Sequence, residues 1–196
     1  GKLFDVDLRL RPNGENGLAV SSFDMFSRYQ RNVDGNGAWL WEHQALTRAR
    51  FVAGDPDLGR KFEAERVSIL REPRNRDALK VEVSAMRAKM LEGHSNASGL
   101  FDLKHDRGGM VDVEFIVQYL VLGWSADFPE LVNNFGNILL LEMCARLGLI
   151  NEESAARTVL AYRRYRALQH EIRLNAGEGV PARVPLDMIE EEREAV

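Results

Sequence analysis

With 196 residues, 45% of them hydrophobic and 29% charged, the chain suffices for one ordinary domain, or one domain plus part of another, with a buried core. Only 6 prolines and 16 glycines exclude collagen-like repeats and linker sequence, and a formal net charge of −4 leaves no global basic field to attract nucleic acid or an anionic membrane. The single cysteine, Cys144, lies in an apolar run over 138–147, which excludes a disulfide framework and a Cys-based zinc site and fits a reducing, cytoplasmic setting. The longest apolar stretch, 111–124, is broken by Asp112, Glu114 and Gln118 and falls short of the roughly 20 residues a membrane helix needs. The first residues, Gly1-Lys2-Leu3-Phe4, have neither Met nor a signal-peptide layout and read as a cut within a longer protein.

Residues 4–11 alternate, with Phe4, Val6, Leu8 and Leu10 on one side and Asp5, Asp7, Arg9 and Arg11 on the other, which predicts a half-buried β-strand. Pro12-Asn13-Gly14 ends it, and 18–20 reads as a short returning strand. An isolated hairpin is marginal in water, so this pair needs a larger sheet or the helices that follow. Ser21 or Ser22 is placed to cap a helix over 23–30, and 32–37 reads as a loop. A helix over 39–52 puts Trp41, Ala45, Ala49 and Val52 on one face and stops at Gly54-Asp55-Pro56. Asp55-Pro56 then opens a helix over 57–70, which Pro73 closes. Residues 77–91 repeat the pattern, with Leu79, Val83, Met86 and Met90 at core spacing, before a loop at 93–96.

A second block begins near 101–104 and the turn Arg107-Gly108-Gly109. It continues with a strongly apolar helix over 111–122 and a buried helix over 138–147 that Gly148 ends. A long amphipathic helix over 152–174 follows, with Ala161, Tyr165, Leu168 and Ile172 facing the core. The acidic stretch 188–196 is expected to fray. The chain is therefore mainly α, a small β-edge followed by an all-helical body, and divides into 1–98 and 99–196.

Three groups of residues can carry chemistry. Asp5 and Asp7, two apart on one strand, project to the same side about 7 Å apart at Cα and can approach a divalent cation, while Arg9 and Arg11 can hold phosphate oxygens. An exposed sheet face whose acids and bases pair with neighbours gives the same pattern. In the 39–52 helix, His43, Thr47 and Arg50 share a stripe flanked by Trp39 and Trp41 that can line a cleft, although a His beside Trp also serves as a structural hydrogen-bonding group. Asp112 and Glu114 lie in a helix apolar almost all round, where burying a charge costs on the order of several kcal/mol unless a cation or backbone donors answer it. Lys104 or Arg107 can supply the cation and Gly108-Gly109 the N–H groups, and a ligand-facing role stays open beside this structural one. Arg157, Arg163, Arg164, Arg166 and Arg173 give the long helix a basic face, either solvated or fit to meet an acidic protein. No phosphate-loop, dinucleotide, zinc-protease or nucleophile-elbow motif occurs.

Taken together, Val6-Asp7-Leu8-Arg9-Leu10-Arg11-Pro12, Trp41-Glu42-His43-Gln44-Ala45-Leu46-x-Arg48-Ala49-Arg50 and Asp102-Leu103-Lys104-x-x-x-Gly108-Gly109-x-x-Asp112-x-Glu114-Phe115-x-x-Gln118-Tyr119 resemble the glutamate–ammonia-ligase adenylyltransferase family. The resemblance covers nearly the whole chain in order and weakens after about Leu174. It implies a bifunctional enzyme that attaches AMP to glutamine synthetase and removes it, built from two related nucleotidyltransferase halves joined by a regulatory region. The Trp-Glu-His-Gln form resembles the adenylylating, C-terminal half. The implied fold is a polymerase-β-like nucleotidyltransferase sheet followed by a helical bundle, with 1–98 holding the end of the nucleotidyltransferase domain and its following helices, and 99–196 the bundle.

The resemblance also implies a chemistry. Carboxylates of a Gly-Ser-Asp-x-Asp motif and a third on a neighbouring strand hold Mg²⁺, bind the triphosphate of the substrate ATP and activate a tyrosine of glutamine synthetase. Asp7 matches the third carboxylate, a catalytic and metal-binding position, while Arg9 and Arg11 match positions for nucleotide phosphate or structural contacts. Glu42, His43, Arg50, Lys104, Asp112 and Glu114 are cleft or structural positions. The 196 residues contain no Gly-Ser-Asp-x-Asp, which is expected before Gly1, so the chain by itself is expected to be inactive. Glutamine synthetase and the PII signal protein are the implied partners. A related PII uridylyltransferase is the nearest alternative, but it leaves the Trp-Glu-His-Gln-Ala-Leu helix unexplained. A helical module that docks glutamine synthetase or PII is an alternative of a different class.

Overall fold

The short polar caps read from the sequence are where the first helices begin. The structure is a computed structural model that describes residues 11–176 and 179–196. Ser22 caps α1 (Phe23–Gln30), its hydroxyl accepting from the Met25 N–H at 3.2 Å. Next comes α2 (Leu40–Leu46), and then α3 (Pro56–Leu70), whose N-cap Asp55 accepts from the N–H groups of Asp57 and Leu58. Pro56 sits at the first helical position, where its missing N–H has no partner to lose. Asn75 caps α4 (Arg76–Gly93) through the Ala78 N–H at 2.9 Å.

Two expectations fail in this stretch. The returning strand over 18–20 does not form: a 3-10 turn at Gly14–Asn16 is followed by bends that leave Leu18 72% and Val20 82% exposed. The strand expected over 4–11 lies outside the described residues except for Arg11. The helix expected over 39–52 ends at Leu46. There the Thr47 hydroxyl donates to the Gln44 carbonyl at 2.6 Å, Arg66 donates to the Leu46 carbonyl at 3.4 Å, and Asn134 donates to the carbonyls of Arg48 and Ala49. These donors, most of them distant in sequence, take the acceptors a continuing helix would need, so tertiary bonding overrides the periodicity.

The remaining elements are β1 (Phe101–Asp102), α5 (Met110–Trp124), α6 (Asn137–Arg146), α7 (Glu152–Ala176), β2 (Arg183–Val184) and α8 (Glu190–Ala195). The fold is mainly helical, and among the described residues the only sheet is the antiparallel pair of β1 and β2, with Phe101 opposite Val184 and Asp102 opposite Arg183. The apolar helices expected near 111–122 and 138–147 bury Val113, Val117, Leu120 and Val121 of α5, and Leu140, Leu141 and Cys144 of α6. Burial in this apolar run pushes the Cys144 thiol up to about 11, which keeps it protonated. From α7 come Ala161, Tyr165 and Leu168 as expected, with Ile172 half-buried. The acidic stretch 188–196 does not fray: it forms α8 against α7, with Ile189 wholly buried and the Thr158 hydroxyl donating to the Ala195 carbonyl at 2.9 Å. One apolar side chain at the mouth of an acidic run decides this, since full burial of an isoleucine stabilises by roughly 2 kcal/mol.

The chain forms two compact units. The first holds the described residues up to Arg74 together with Trp124–Asn134, and the second holds Asn75–Gly123 together with Phe135–Val196. Ile69 and Leu70 are fully buried in the first, where Arg31, the C-cap of α1, bonds Glu65 and Ser68 of α3 and Glu72 just after it. Arg66, only 3% exposed, also lies inside this unit and donates to Glu63, to the Leu46 carbonyl and to the Val132 carbonyl. Among the described residues, no helix is long and apolar enough to cross a membrane.

Candidate functional site

In the first unit the predicted site residues separate. Glu42 is buried at the third position of α2, where its Oε2 accepts from the Trp39 N–H at 2.8 Å and both carboxylate oxygens lie within about 3 Å of the Tyr29 hydroxyl that donates to them. Its charge faces the start of α2, the favourable end of the helix dipole. Burial, and beyond it the Glu42 carboxylate, raises the Tyr29 phenol above its ordinary value, although a backbone contact at Asn13 opposes this. Glu42, Tyr29, Trp39 and Trp41 line an open cleft of about 960 Å³ together with Asn13, Gly14 and Asn16. The cleft therefore sits immediately after the predicted Asp7 strand in the chain. Arg11, half-buried, donates to the Gly17 carbonyl at 3.3 Å and so closes the turn that holds Asn13, Gly14 and Asn16.

His43 is not in the cleft. Its Nε2 lies 3.0 Å from the Gln30 carbonyl and its Nδ1 lies 3.5 Å from a guanidinium nitrogen of Arg74. A neutral ring with the proton on Nε2 satisfies both contacts, donating to Gln30 and accepting from Arg74. Burial lowers the His43 value below the ordinary one, and the Arg74 charge adds to this against the opposing bond to Gln30. Arg50, expected on the same stripe, lies beyond the end of α2 and is exposed.

In the second unit the Asp-Leu-Lys and Gly-Gly residues build one tight turn. The Asp102 carboxylate accepts from the backbone N–H groups of Lys104 and His105, both at 3.0 Å, and meets the Arg183 Nε at 3.4 Å. Burial alone would raise this carboxyl, but these backbone donors, with His105 and Arg183, outweigh it and hold the group below its ordinary value. Gly108 adopts φ +82°, and a Cβ on Gly109 would come within 3.0 Å of carbonyl oxygens at Asp106 and Leu103, so both glycines are required by the turn. The chain enters α5 with Met110 N–H donating to the Leu103 carbonyl at 3.0 Å.

Asp112 does not pair with Lys104 or Arg107. Its partner is Arg87 of α4, whose Nε and terminal nitrogen meet the carboxylate at 2.5 and 3.2 Å, while the Gly108 N–H donates to it at 2.6 Å. Arg87 also donates to the carbonyls of His105 and Asp106. Sequence reasoning missed Arg87, yet it stands four residues after Val83 and eight after Leu79, and a cation continuing a buried row was the available signal. Glu114 accepts from the Tyr162 hydroxyl of α7 at 3.4 Å, and that hydroxyl accepts from Asn137 of α6 at 2.9 Å. Lys104 is exposed and borders a cleft on the same unit.

Asp5, Asp7 and Arg9 lie outside the described residues. Among the described ones, no group of three or more His, Cys, Asp or Glu side chains is arranged to hold a metal ion.

Comparison with known proteins matches two family models to successive parts of the chain. Residues 1–65 match the family model for glutamate-ammonia ligase adenylyltransferase, and residues 78–185 match that for GlnD PII-uridylyltransferase. Both names describe nucleotidyltransferases. The chain is 55% identical over its whole length to the bifunctional glutamine synthetase adenylyltransferase/adenylyl-removing enzyme of Burkholderia mallei, covering 21% of that protein. It is 58% identical over 94% of its length to the protein of the same name from Ralstonia nicotianae, covering 19% of it. The protein of that name from Nitrosomonas eutropha is 50% identical over the full chain, with 22% of its own length covered. The chain belongs to the glutamate-ammonia ligase adenylyltransferase family and spans about a fifth of the length of these relatives.

Proposed function

We propose that the chain is part of an enzyme that transfers AMP from ATP to a tyrosine of glutamine synthetase in cytoplasmic nitrogen regulation, and that it comes from the adenylylating half. The observation that carries this is identity of 50% or more along the whole chain to relatives named as glutamine synthetase adenylyltransferases. In this reading residues 4–11 are an edge strand of a polymerase-β-like sheet, and the helices after them are its companion bundle. Asp7 is a ligand for Mg²⁺, and Arg9 and Arg11 hold phosphate oxygens of ATP. The open cleft beside Glu42 and the two tryptophans follows that strand directly in sequence, which supports a substrate-facing role for this end of the first unit. PII is the proposed regulatory partner.

The described residues do not themselves fit a metal centre. Asp7 would share Mg²⁺ with carboxylates of a Gly-Ser-Asp-x-Asp motif that the 196 residues do not contain, so transfer by this chain alone is expected to be absent. The match of 78–185 to a PII-uridylyltransferase model favours a second reading, a uridylyltransferase of PII, against which the match of 1–65 stands.

The test compares this chain with a longer one that includes the motif, each given ATP, Mg²⁺ and unmodified glutamine synthetase. The longer chain is expected to incorporate AMP and to lose this on Asp7→Ala. Robust incorporation by the 196 residues alone would overturn the assignment of the missing ligands. Transfer of UMP to PII by the longer chain, with no AMP transfer, would replace this reading by the second.

A further inference from the structure

The cleft bordered by Lys104 has a composition unlike that of the chain as a whole. Its volume is about 650 Å³, and it lies between the end of α4, the Asp102 turn, the C-terminal part of α7 and the segment leading into β2. Its charged lining residues are Lys104, Arg173 and Arg183 against the single carboxylate of Asp102, in a chain whose formal net charge is −4. Two positive charges are thus left over in a concave site, where low-dielectric walls concentrate the field. Lys104 and Arg173 are both exposed, and neither is needed to hold the turn, since Asp102 is met by backbone N–H groups, His105 and Arg183.

Two imidazoles complete the wall. The rings of His94 and His105 stack with centroids 4.1 Å apart and planes 10° from parallel, and His94 is turned by a bond between its Nδ1 and the Met90 carbonyl at 2.9 Å. Each imidazole carries a ring N–H able to donate to an anion. A carboxylate ligand brings one charge and two oxygens. A phosphate monoester brings a dianion and three free oxygens, matching both the two surplus charges and the ammonium, guanidinium and imidazole donors of the lining. The volume falls in the range of roughly 300–1,000 Å³ typical of small-molecule sites and exceeds what a phosphate group fills, while Val180, Pro181 and Ala182 give the rest an apolar wall.

We infer that this cleft binds the phosphate group of a small phosphorylated molecule, with Lys104 and Arg173 as its principal contacts and the stacked His94–His105 pair beside it. The inference does not depend on the transferase reaction. It is tested by calorimetric titration of the 196-residue chain with inorganic phosphate, AMP and acetate at low ionic strength. Saturable binding of phosphate is expected, at least tenfold weaker in the Lys104→Ala/Arg173→Ala double variant and unchanged in Lys80→Ala, which removes an exposed cation outside the cleft, with thermal midpoints alike in all three proteins. AMP binding tighter than phosphate, and weakened alike by the double variant, would identify the ligand as a phosphate ester whose organic part is also held, and equal binding would identify free phosphate. No saturable phosphate binding, an unaffected double variant, or acetate binding as tight as phosphate would overturn the inference.

Discussion

Glu42 in α2 and Asp112 in α5 stand at the same helical position, the third residue, and answer the same problem differently. Each puts a carboxylate among apolar neighbours where the N-terminal peptide dipoles favour it. Glu42 is satisfied by neutral donors, the Tyr29 hydroxyl and the Trp39 N–H, both within the first unit. Asp112 is satisfied mainly by the Arg87 guanidinium, itself 12% exposed, together with the Gly108 N–H. Neutral donors can be lost one at a time, whereas removing one member of an ion pair strands the other charge.

Arg87→Met is expected to have the largest effect, destabilising the chain by roughly 3 kcal/mol in urea unfolding because Asp112 is left without its cation. Adding Asp112→Leu to that variant should recover part of the loss. A cost for Arg87→Met alone below about 1 kcal/mol would mean that backbone donors suffice and that the two carboxylates do not differ. Glu42→Gln is expected to cost less, about 1–2 kcal/mol, since one amide oxygen still accepts from Tyr29 or Trp39. A loss equal to that of Arg87→Met would again erase the distinction.

The smallest effect concerns pH. His43 titrates below its ordinary 6.5 in the folded chain, so the unfolded chain binds the proton more readily. The stability this residue contributes is complete above that value and is lost as pH falls from about 6.5 through the lower folded value. His43→Gln should therefore flatten the decline in urea midpoint between about pH 7 and about pH 5, leaving the part due to His105, which burial also lowers. An unchanged slope would show that His43 is as free to charge when folded as when unfolded.

Local signals were legible in the sequence and distant ones were not. Ser22, Asp55-Pro56 and the apolar runs of α5 and α6 announce themselves through neighbours a few residues away, and each formed where expected. The early end of α2 depends on Arg66 and Asn134, and no periodicity within 39–52 encodes donors that arrive from elsewhere in the chain. The candidate site divides in the same way. Asp102, Lys104, the paired glycines and Asp112 stand out as a motif, because a charge in an apolar helix needs an answer. The answering groups, Arg87 and Arg183, come from 25 and 81 residues away and looked like ordinary helix and loop cations.

The short pairing of β1 with β2 has a consequence for how the protein is made. Asp102 and Arg183 meet across 81 positions, so the ladder cannot close until nearly all of this sequence has left the ribosome. Joining ends so far apart also carries a loop-closure entropy that local helices do not face. Until then the Asp102 carboxylate waits without its guanidinium and the pocket that will take Ile189 stays unfilled, which makes the second unit a late assembler whose apolar helices stay open to aggregation during synthesis.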